Sequence, residues 1–560
     1  MIAVPMPVRF LLLAAVLTVA APGPAPGQPC ASDCNGSGDV TVDELVRAVN
    51  IALGSGAIGS CTAADRNGNG SVTVDELVGA VGAALSGCTP TSPAPTRTAT
   101  ATPPAGGTPT STRTVAVTPG LAPNQLDDRF GVDGLAAPRI GLGASYIAGL
   151  ANAPGGGLYF AGDGTAGTQL NGHVVRLTAA GALDTTFNGT GVKPVDVWTC
   201  TGGGFSPLNE SMYEVAVDAD DRVVMAGSTT VDGGTERFAV ARFTSAGALD
   251  TSFGSNGCVT IDANPEFESE YVSSMLIQPD GRILLAGWTE EEDTSASAVA
   301  VVRLTEAGAL DTEFADGGRF IIGDYPSPTT LGLRPDRVGV ALQSTGRIVI
   351  SHSVALAGPT VAFGVTRLDA GGRLDTSFGD AGSFVRQAIS GRFNFAVDLA
   401  VVSGDRIVVG GSVRNANNQC DFAVMRISAD GVLDEAFGDA GATLMSLGAT
   451  DASDYLGDLV VDSAGRIIAA GVRNAVGAMS GPSLAVARFD ADGRVDGNGF
   501  CATGTLGPRV TSNVRALVDD QDRILVSYYD PALGNPNPNV VGVGILRYRG
   551  GAGTGLCGAG

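Results

Sequence analysis

Short apolar runs separated by turn residues fill most of the chain. Residues Val272–Ile277 and Val299–Leu304 are two such runs, and the turn Gln278-Pro279-Asp280-Gly281 follows the first of them. Other runs, such as Val223–Ala226 and Ile407–Val409, are apolar at every position, which is typical of strands buried on both faces. The pattern predicts short β-strands joined by tight turns from residue 121 onward.

The strand pattern repeats about every 60 residues, and each repeat carries the punctuation Leu-Asp-x-x-Phe. Copies begin at Leu126, Leu183, Leu249, Leu310, Leu374 and Leu433, with a degraded copy over 495–500. Each unit contains four strand-like runs, the first of them after the Phe-Gly turn, as in Cys258–Ile261. Seven units of four short strands over 121–550 predict an all-β domain, a seven-bladed β-propeller of four-stranded blades.

Residues 30–88 show helical rather than strand spacing. Apolar residues recur three and four positions apart in two segments, which predicts short amphipathic helices over Asp43–Leu53 and Asp75–Leu85. The apolar positions are Leu45, Val46, Val49, Leu53, Leu77, Val78, Val81 and Leu85. Pro- and Gly-rich segments precede both units, so no entering helix is expected. The sequence predicts a small N-terminal α module of two loop-helix units.

A twelve-residue loop with calcium chemistry precedes each predicted helix, at 33–44 and 65–76. Oxygen side chains occupy the ligand positions, Gly38 and Gly70 stand at the sixth position where the chain must turn sharply, and Glu closes each loop. The predicted metal ligands are Asp33, Asn35, Ser37, Asp39, Glu44, Asp65, Asn67, Asn69, Ser71 and Glu76. Two Ca²⁺ ions are therefore the expected cofactors. Few carboxylates per loop favour the millimolar affinities of extracellular modules.

The tandem loop-helix units without entering helices resemble a dockerin. That resemblance implies a docking partner, such as a cohesin-like protein, and delivery to an assembly that degrades polysaccharide. Two features differ from the usual dockerin pattern. The last loop position is Glu in Glu44 and Glu76 where dockerins usually have Asp, and the two loops lie further apart.

The repeats of 121–550 resemble the delta-60 repeat family of bacterial secreted and surface proteins. The residues that carry this resemblance are the Leu-Asp-x-x-Phe punctuation, the Pro-Asp-Gly-Arg turn at 279–282 and last strands such as Ala239–Phe243. The resemblance implies a propeller and an exported location. It implies no particular activity, because function depends on individual sites and not on the fold.

The segments outside the repeats and the loop-helix module are recognised by their composition. Arg9 followed by the apolar run Phe10–Ala21 predicts a secretory signal peptide over 1–21. Residues 89–120 are almost all Thr, Pro, Ala, Ser, Gly and Arg, which predicts an extended linker. No later apolar run is long enough to cross a membrane. The expected product is a secreted, extracellular or cell-surface protein, with a short tail at 551–560.

The charge argues against some partners. The chain has 57 acidic and 34 basic residues, a net charge of −23, and Lys193 as its single lysine. A nucleic acid or an anionic lipid surface requires a basic face, so neither is expected as a partner.

Nine cysteines fit an oxidising compartment. Four of them bracket the calcium loops, namely Cys30, Cys34, Cys61 and Cys88, and these four allow three pairings. The others are Cys200, Cys258, Cys420, Cys501 and Cys557, of which the last two could tie the final repeat to the C-terminus. An odd count leaves one free thiol. None of the cysteines shows the CxxC spacing that is typical of redox chemistry. We therefore expect structural roles for the cysteines.

Two charged residues recur once per unit. The arginines are Arg176, Arg242, Arg303, Arg367, Arg426, Arg488 and Arg547, and the aspartates are Asp127, Asp184, Asp250, Asp311, Asp375, Asp434 and Asp496. They could form a charged ring around the channel, or Arg–Asp contacts that hold neighbouring blades together while Asp caps the turn. We favour the structural interpretation, because a residue that every blade requires serves folding.

Function should therefore depend on what differs between blades. The variable connections, for example 196–212, 290–293 and 528–539, all fall on one face of the predicted ring, which is typical of a binding surface. Enzymatic motifs such as GxSxG, HExxH and the P-loop are absent from the sequence, and we expect its two histidines, His173 and His352, to be packed rather than catalytic.

Two functions from different classes remain. The first is a secreted calcium-binding protein whose propeller binds or scaffolds an extracellular polysaccharide or protein. The second is a carbohydrate-active enzyme, a glycoside hydrolase or polysaccharide lyase, delivered by the docking module. Carboxyl pairs about 5–10 Å apart in the channel or on the variable face would favour the enzyme. An aromatic face without such a pair would favour binding.

Overall fold

The computed structural model divides the chain into two units, 1–112 and 113–560. In the first unit it describes residues 34, 40–52, 57, 59, 61–64, 72 and 77. In the second unit it describes 126–138, 145–166, 169–195, 197, 210–231, 234–291, 296–325, 337–356, 360–388, 392–417, 419–447, 452–475, 483–495, 501–505, 514–530 and 542–549.

The N-terminal unit contains helix α1 (Val42–Ala52) and a short 3₁₀ helix (Thr62–Ala64). Helix α1 confirms the first predicted helix. Of its apolar positions, Val46 and Val49 are 51% and 41% exposed, while Ala48 and Ile51 are buried in a cluster with Cys61 and Ala64. The buried Glu44 carboxylate on this side reaches back to the loop before the helix. The second predicted helix and most of both calcium loops lie outside the described residues.

Within the described part of 126–549, the strands form seven four-stranded antiparallel sheets, which are the blades of a propeller. Blade 1 consists of β2 (Ser145–Ala153), β3 (Gly157–Ala166), β4 (Gln169–Leu177) and β5 (Val192–Val195), and blade 2 consists of β6 (Glu210–Val217), β7 (Val223–Thr230), β8 (Glu236–Phe243) and β9 (Cys258–Ile261). Blade 3 consists of β10 (Ser269–Ile277), β11 (Ile283–Glu290), β12 (Ser297–Leu304) and β13 (Arg319–Tyr325), and blade 4 consists of β14 (Gly339–Leu342), β15 (Ile348–Leu356), β16 (Thr360–Leu368) and β17 (Ser383–Arg386).

The last three blades complete the ring. Blade 5 consists of β18 (Asn394–Val402), β19 (Arg406–Arg414), β20 (Cys420–Ile427) and β21 (Ala442–Met445), and blade 6 consists of β22 (Ala452–Val461), β23 (Ile467–Ala475), β24 (Ser483–Phe489) and β25 (Cys501–Thr505). Blade 7 consists of β26 (Arg515–Val518), β27 (Ile524–Asp530) and β28 (Gly542–Tyr548), together with β1 (Leu135–Ala136). The fold class predicted from the sequence is confirmed.

Each sequence unit is displaced by one strand from a structural blade. The strand after the Phe-Gly turn, for example β9, pairs with β8, which precedes it in the chain, and so it forms the outer edge of blade 2. Adjacent antiparallel strands of this kind pair directly, and the connection between them, 244–257, folds back on itself and contains the Leu-Asp-x-x-Phe motif. As a result β1, from the start of the domain, pairs with β28 and closes blade 7.

Apolar layers between successive sheets form the core. The second and third strands are almost completely buried, as in β7 and β12, where no residue is classed as exposed or half-buried. One such layer joins Val224, Val240 and Phe253 of blade 2 to Leu285 and Val302 of blade 3. The continuously apolar runs of the sequence are therefore the strands that are covered on both faces.

An arginine in the third strand fastens each blade to the next one. In blade 3, Arg303 Nε lies 2.8 Å from Asp311 Oδ2, and the guanidinium stands 4.5 Å from the centre of the Phe314 ring. Its Nη1 donates to the carbonyl oxygen of Ala370 in blade 4 at 2.7 Å. We call this set of contacts the arginine staple.

The staple recurs around the ring. The corresponding arginine–aspartate pairs, which use Nε in the first three and Nη2 in the last two, are Arg176–Asp184, Arg242–Asp250, Arg426–Asp434, Arg367–Asp375 and Arg547–Asp127. Inter-blade bonds run to the carbonyls of Glu306, Ala429, Ala491 and Ala179. The structural interpretation of the repeated charges is thus confirmed with one difference. The Asp belongs to the same blade as its Arg, and the neighbouring blade is reached through a backbone carbonyl.

The motif phenylalanine also crosses the blade boundary. Phe314 is completely buried, and a Cβ on Gly372 of blade 4 would lie 2.4 Å from its ring. Gly372 also has a φ of +85°, which a side chain would strain. The aspartate of each motif caps the turn that presents this ring: Asp250 Oδ1, for instance, accepts bonds from the Ser252 N–H and hydroxyl.

Cysteine pairing follows the expectation of structural roles. Cys34 and Cys61 are joined, which is one of the pairings that the sequence left open. Cys258 is also disulfide-bonded, and among the described cysteines Cys420 is free and buried. The other cysteines lie outside the described side chains. None of the helices in the described residues is long and apolar enough to cross a membrane.

Loss of one staple should destabilise the propeller. In an Arg367→Met variant, Asp375 and the Ala429 carbonyl lose their buried partner, and we expect a loss of about 3 kcal/mol in the free energy of unfolding. Urea denaturation of the variant and of the unchanged protein measures this loss of stability. The control is Arg373→Met, at an exposed turn position, with an expected change within about 0.5 kcal/mol. Equal losses in the two variants would contradict the staple.

Candidate functional site

The first strands of the seven blades line the central channel, since each of them packs against the first strand of the next blade, and β26 against β2. In five blades the strand contains a β-bulge, and the residue after the bulge pairs with the fourth or fifth residue of the second strand. We call the seven residues at this register the channel layer: Gly149, Glu214, Ser274, Gly339, Asp398, Asp458 and Arg515.

The channel layer differs from blade to blade, unlike the arginine staples. Bulges point an extra residue out of the regular pleat and are frequent next to functional sites. The bulges of β6, β18 and β22 bring three carboxyl groups to one level of the channel, and Arg515 of β26 adds a guanidinium at the same register. Arg337, immediately before β14, adds a second positive charge that acts on Glu214 and Asp458.

Glu214 of blade 2 pairs with Arg515 of blade 7. Arg515 Nη2 lies 3.2 Å from Glu214 Oε1, and the two side chains are 8% and 21% exposed. Blade 1 stands between them and contributes Gly149 to the layer. A Cβ there would lie 2.8 Å from the Glu214 Cα, so only glycine permits this close approach of the two first strands.

The half-buried carboxyl groups of Asp398 in blade 5 and Asp458 in blade 6 lie next to each other. Both converge on one amide, because Leu459 N lies 3.0 Å from Asp458 Oδ1 and 3.4 Å from Asp398 Oδ2. Asp458 Oδ2 also accepts the Ala516 N–H of blade 7 at 2.7 Å. Asp458 therefore connects blades 5, 6 and 7.

Burial raises the pKa of all three carboxyl groups. It is the largest cause for Glu214 and Asp398, whose pKa values lie well above the usual range, and in each the charge of Asp458 adds to the rise. Burial also raises the pKa of Asp458, while the bond from Asp398, the Ala516 N–H and Arg337 oppose the rise. The positive charge of Arg337 opposes the rise in the pKa of Glu214.

The two histidines have packing roles, as expected. His352 is 5% exposed, and its Nε2 lies 2.9 Å from Thr366 Oγ1 while Nδ1 faces the Ser353 carbonyl at 3.3 Å. Burial lowers the pKa of His352 to about 4, which keeps the imidazole neutral near neutral pH. His173 is 3% exposed in β4.

Of the ten predicted calcium ligands, Glu44 is within the described residues and the other nine lie outside them. The Glu44 side chain is 3% exposed; Oε1 accepts the Cys34 N–H at 3.0 Å, and Oε2 accepts the Thr41 N–H at 2.8 Å. Both oxygens thus point back into the loop that Glu44 closes, which fits a closing ligand. Among the described residues, no cluster of three or more His, Cys, Asp or Glu could hold a metal ion.

Aromatic side chains occur where the first strands begin, on the face of the variable connections. Tyr271 stacks on Trp288 with ring centres 4.3 Å apart, and Phe393 stacks on Phe395 at 5.9 Å. Tyr213, the bulge residue of blade 2, lies near Asp163 and Glu236, and burial is the main reason why its pKa is raised to about 12. Most residues of the variable connections are outside the described part.

Sequence reasoning missed Glu214, Asp398 and Asp458. A usable signal was present, because each is a carboxylate inside an otherwise apolar strand pattern, such as Leu456–Val461. The three carboxylates stand at the same distance before the first apolar residue of the second strand, namely Val223, Ile407 and Ile467. The sequence pattern does not mark the bulges, so it does not show that these side chains leave the regular pleat.

Comparison with known families supports the propeller. Four segments match the family described as "Domain of unknown function (DUF5122) beta-propeller", namely 156–187, 219–253, 278–314 and 405–437. Each covers the second and third strands of a blade, or most of them, and ends in the Leu-Asp-x-x-Phe motif. No curated protein matches the chain.

Similar solved structures include a protein of unknown function from Dyadobacter fermentans, with 12% identity over 74% of this chain and 100% of that one, TM-score 0.35. Polysaccharide lyase Uly1 has 9% identity over 75% and 99% of the two chains, TM-score 0.42. The propeller domain of the Trilobed protease from Pyrococcus furiosus has 9% identity over 73% and 95%, TM-score 0.37. At these values the matches carry no argument about function.

The Glu214–Arg515 pair should couple blades 2 and 7 energetically. Arg515→Met strands a buried carboxylate, whereas Glu214→Gln together with Arg515→Met removes both charges. We expect the double variant to be more stable than the sum of the single changes predicts, by about 1–3 kcal/mol. Urea denaturation of the four proteins measures this coupling, and strictly additive losses would disprove it.

Proposed function

We propose that the chain is an exported calcium-binding protein with two working parts. The propeller binds or scaffolds an extracellular ligand, most simply a polysaccharide, on the face of the variable connections. The N-terminal module binds two Ca²⁺ ions and docks the protein to a partner such as a cohesin-like domain. Export is inferred from the signal-like start of the chain, and the Cys34–Cys61 disulfide is compatible with it.

The contact between Asp398 and Asp458 carries the preference for binding over catalysis. Cleavage of a glycosidic bond uses two carboxyl groups about 5–9.5 Å apart, so that a sugar and, in inverting enzymes, a water fit between them. Asp398 and Asp458 instead meet at the single Leu459 N–H, and Glu214 bonds to Arg515. Carboxyl groups engaged in this way join blades, which favours a structural role for them over acid–base chemistry.

The aromatic residues on the variable face support a carbohydrate ligand. Sugar rings present C–H faces that pack on flat aromatic side chains, and their hydroxyl groups bond to neighbouring carboxylates. Half-buried Tyr271 on Trp288 offers such a surface at the end of β11, near Glu290 and Glu291. Recognition of this kind requires no acid–base pair.

Calcium binding should depend on the closing glutamates. Glu44→Gln with Glu76→Gln removes the charge of the ligand that can bind through both oxygens, so we expect Ca²⁺ affinity to fall by more than about tenfold. Calorimetry of the full chain measures it. Asp43→Asn with Asp75→Asn, one position earlier in each loop, is the matched control. If the unchanged protein gave no heat on addition of Ca²⁺, that result would contradict the calcium module.

The propeller should retain polysaccharide without cleaving it. We expect full-length protein to be captured on a glycan array, and Tyr271→Ala to weaken capture at least about tenfold while Tyr271→Phe preserves it, because stacking needs the ring and not the hydroxyl. The products of long incubation are sized in parallel. Shortened chains or new reducing ends would overturn the binding proposal in favour of an enzyme.

A further inference from the structure

The charges of the channel layer balance only when a proton is present. Among the first strands, β6, β18 and β22 contribute Glu214, Asp398 and Asp458, and β26 contributes Arg515. Arg337 approaches from the start of β14, while β2 and β10 present Gly149 and Ser274, which do not titrate. Three carboxylates face two guanidinium groups among these described side chains. One proton makes the layer neutral.

Geometry places that proton between Asp398 and Asp458. Two ionised carboxylates that meet at one amide in a half-buried site repel each other, and they have no hydrogen to share. A proton on one of the two groups removes this repulsion and lets its O–H donate to the other group. Their convergence on the single Leu459 N–H shows that they occupy one site and do not turn away from each other.

Asp458 is the better anion of the two. It accepts the N–H groups of Leu459 and Ala516 and faces Arg337, whereas Asp398 accepts the N–H of Leu399 at 2.8 Å and has only the longer contact to Leu459. Hydrogen bonds to the charged form favour ionisation. Asp398 thus carries the proton and donates it to Asp458.

We propose that Asp398 and Asp458 form a proton-dependent latch that holds blades 5, 6 and 7 together at the channel layer. With the proton in place, Asp398 bonds to Asp458, and Asp458 bonds onward to the backbone of blade 7. Removal of the proton leaves two adjacent carboxylates in the channel. Their repulsion weakens the seam between blades 5 and 6 and loosens the ring in alkaline conditions.

The direction of the pH dependence follows from the raised pKa values. A carboxyl group whose pKa is higher in the folded state than in the unfolded chain, where it is about 4, binds its proton more tightly when folded. The contribution of this group to stability is complete below the unfolded pKa of about 4, and it is lost as the pH rises through the folded pKa. The latch is therefore strongest in mild acid and weakest in base.

The turn aspartates behave in the opposite way. Side-chain hydrogen bonds, from Thr186 and Ser377 respectively, are the largest cause of the lowered pKa values of Asp184 and Asp375. Their contribution is present above about pH 4 and is lost in stronger acid. The two groups together predict maximal stability in mild acid, with the turn aspartates responsible for the acid limb and the latch for the alkaline limb.

The test compares Asp398→Asn with the unchanged full-length protein. The Asn amide can donate to Asp458 as the protonated acid does, but it cannot lose a proton. We expect the melting temperature of the unchanged protein to fall by several degrees from mild acid to mild alkali, and that of D398N to stay level over the same range. Exposed Asp520, in the turn after β26, supplies the control D520N, which should follow the unchanged protein.

Infrared spectroscopy of the unchanged protein provides a second measurement that does not require a variant to fold. The C=O stretching band of a protonated carboxylic acid should persist at neutral pH and disappear as the pH is raised. In D398N the band should be reduced at neutral pH. Parallel melting profiles for D398N and the unchanged protein, or no protonated carboxyl band at neutral pH, would overturn the latch.

Discussion

A buried guanidinium at the same place in successive blades decides how this ring is assembled. A charge taken out of water must be paired and its N–H groups must find acceptors, or burial costs several kcal/mol. Arg303 meets that demand only if its own blade supplies Asp311 and the next blade supplies the Ala370 carbonyl. Since neither blade can satisfy the guanidinium alone, the correct neighbour becomes a condition for burying it.

The same requirement explains how the ring closes. Arg547 of blade 7 pairs with Asp127, which lies far away at the start of the domain, and reaches the Ala179 carbonyl of blade 1. The staple at the closure is thus built like the others, although its parts come from both ends of the chain. The channel layer completes the closure on the inside, where Arg515 reaches Glu214 across the gap that Gly149 leaves.

Most of the architecture could be predicted because it repeats. Periodic apolar runs gave the strands, the Leu-Asp-x-x-Phe motif gave the blade count, and a charge in every unit indicated a folding role. What the pattern did not give depended on local geometry. Helical spacing placed Val46 and Val49 on α1, but the side that packs inward carries Ala48 and Ile51. The Phe-Gly turn looked like the start of a unit, yet it lies in the connection between the third and fourth strands of one blade.

The sequence by itself determined the seven blades, their order and the residues that join them, because hydrophobic periodicity and turn chemistry act over a few neighbouring positions. It also supplied the chemistry of the two calcium loops. Only the tertiary structure decided which non-repeating residues meet. Asp398 and Asp458 are separated by a whole blade in the chain, and a bulge in each strand sets the direction of their carboxyl groups. Contacts of that kind depend on ring closure and local register, which no short-range pattern encodes.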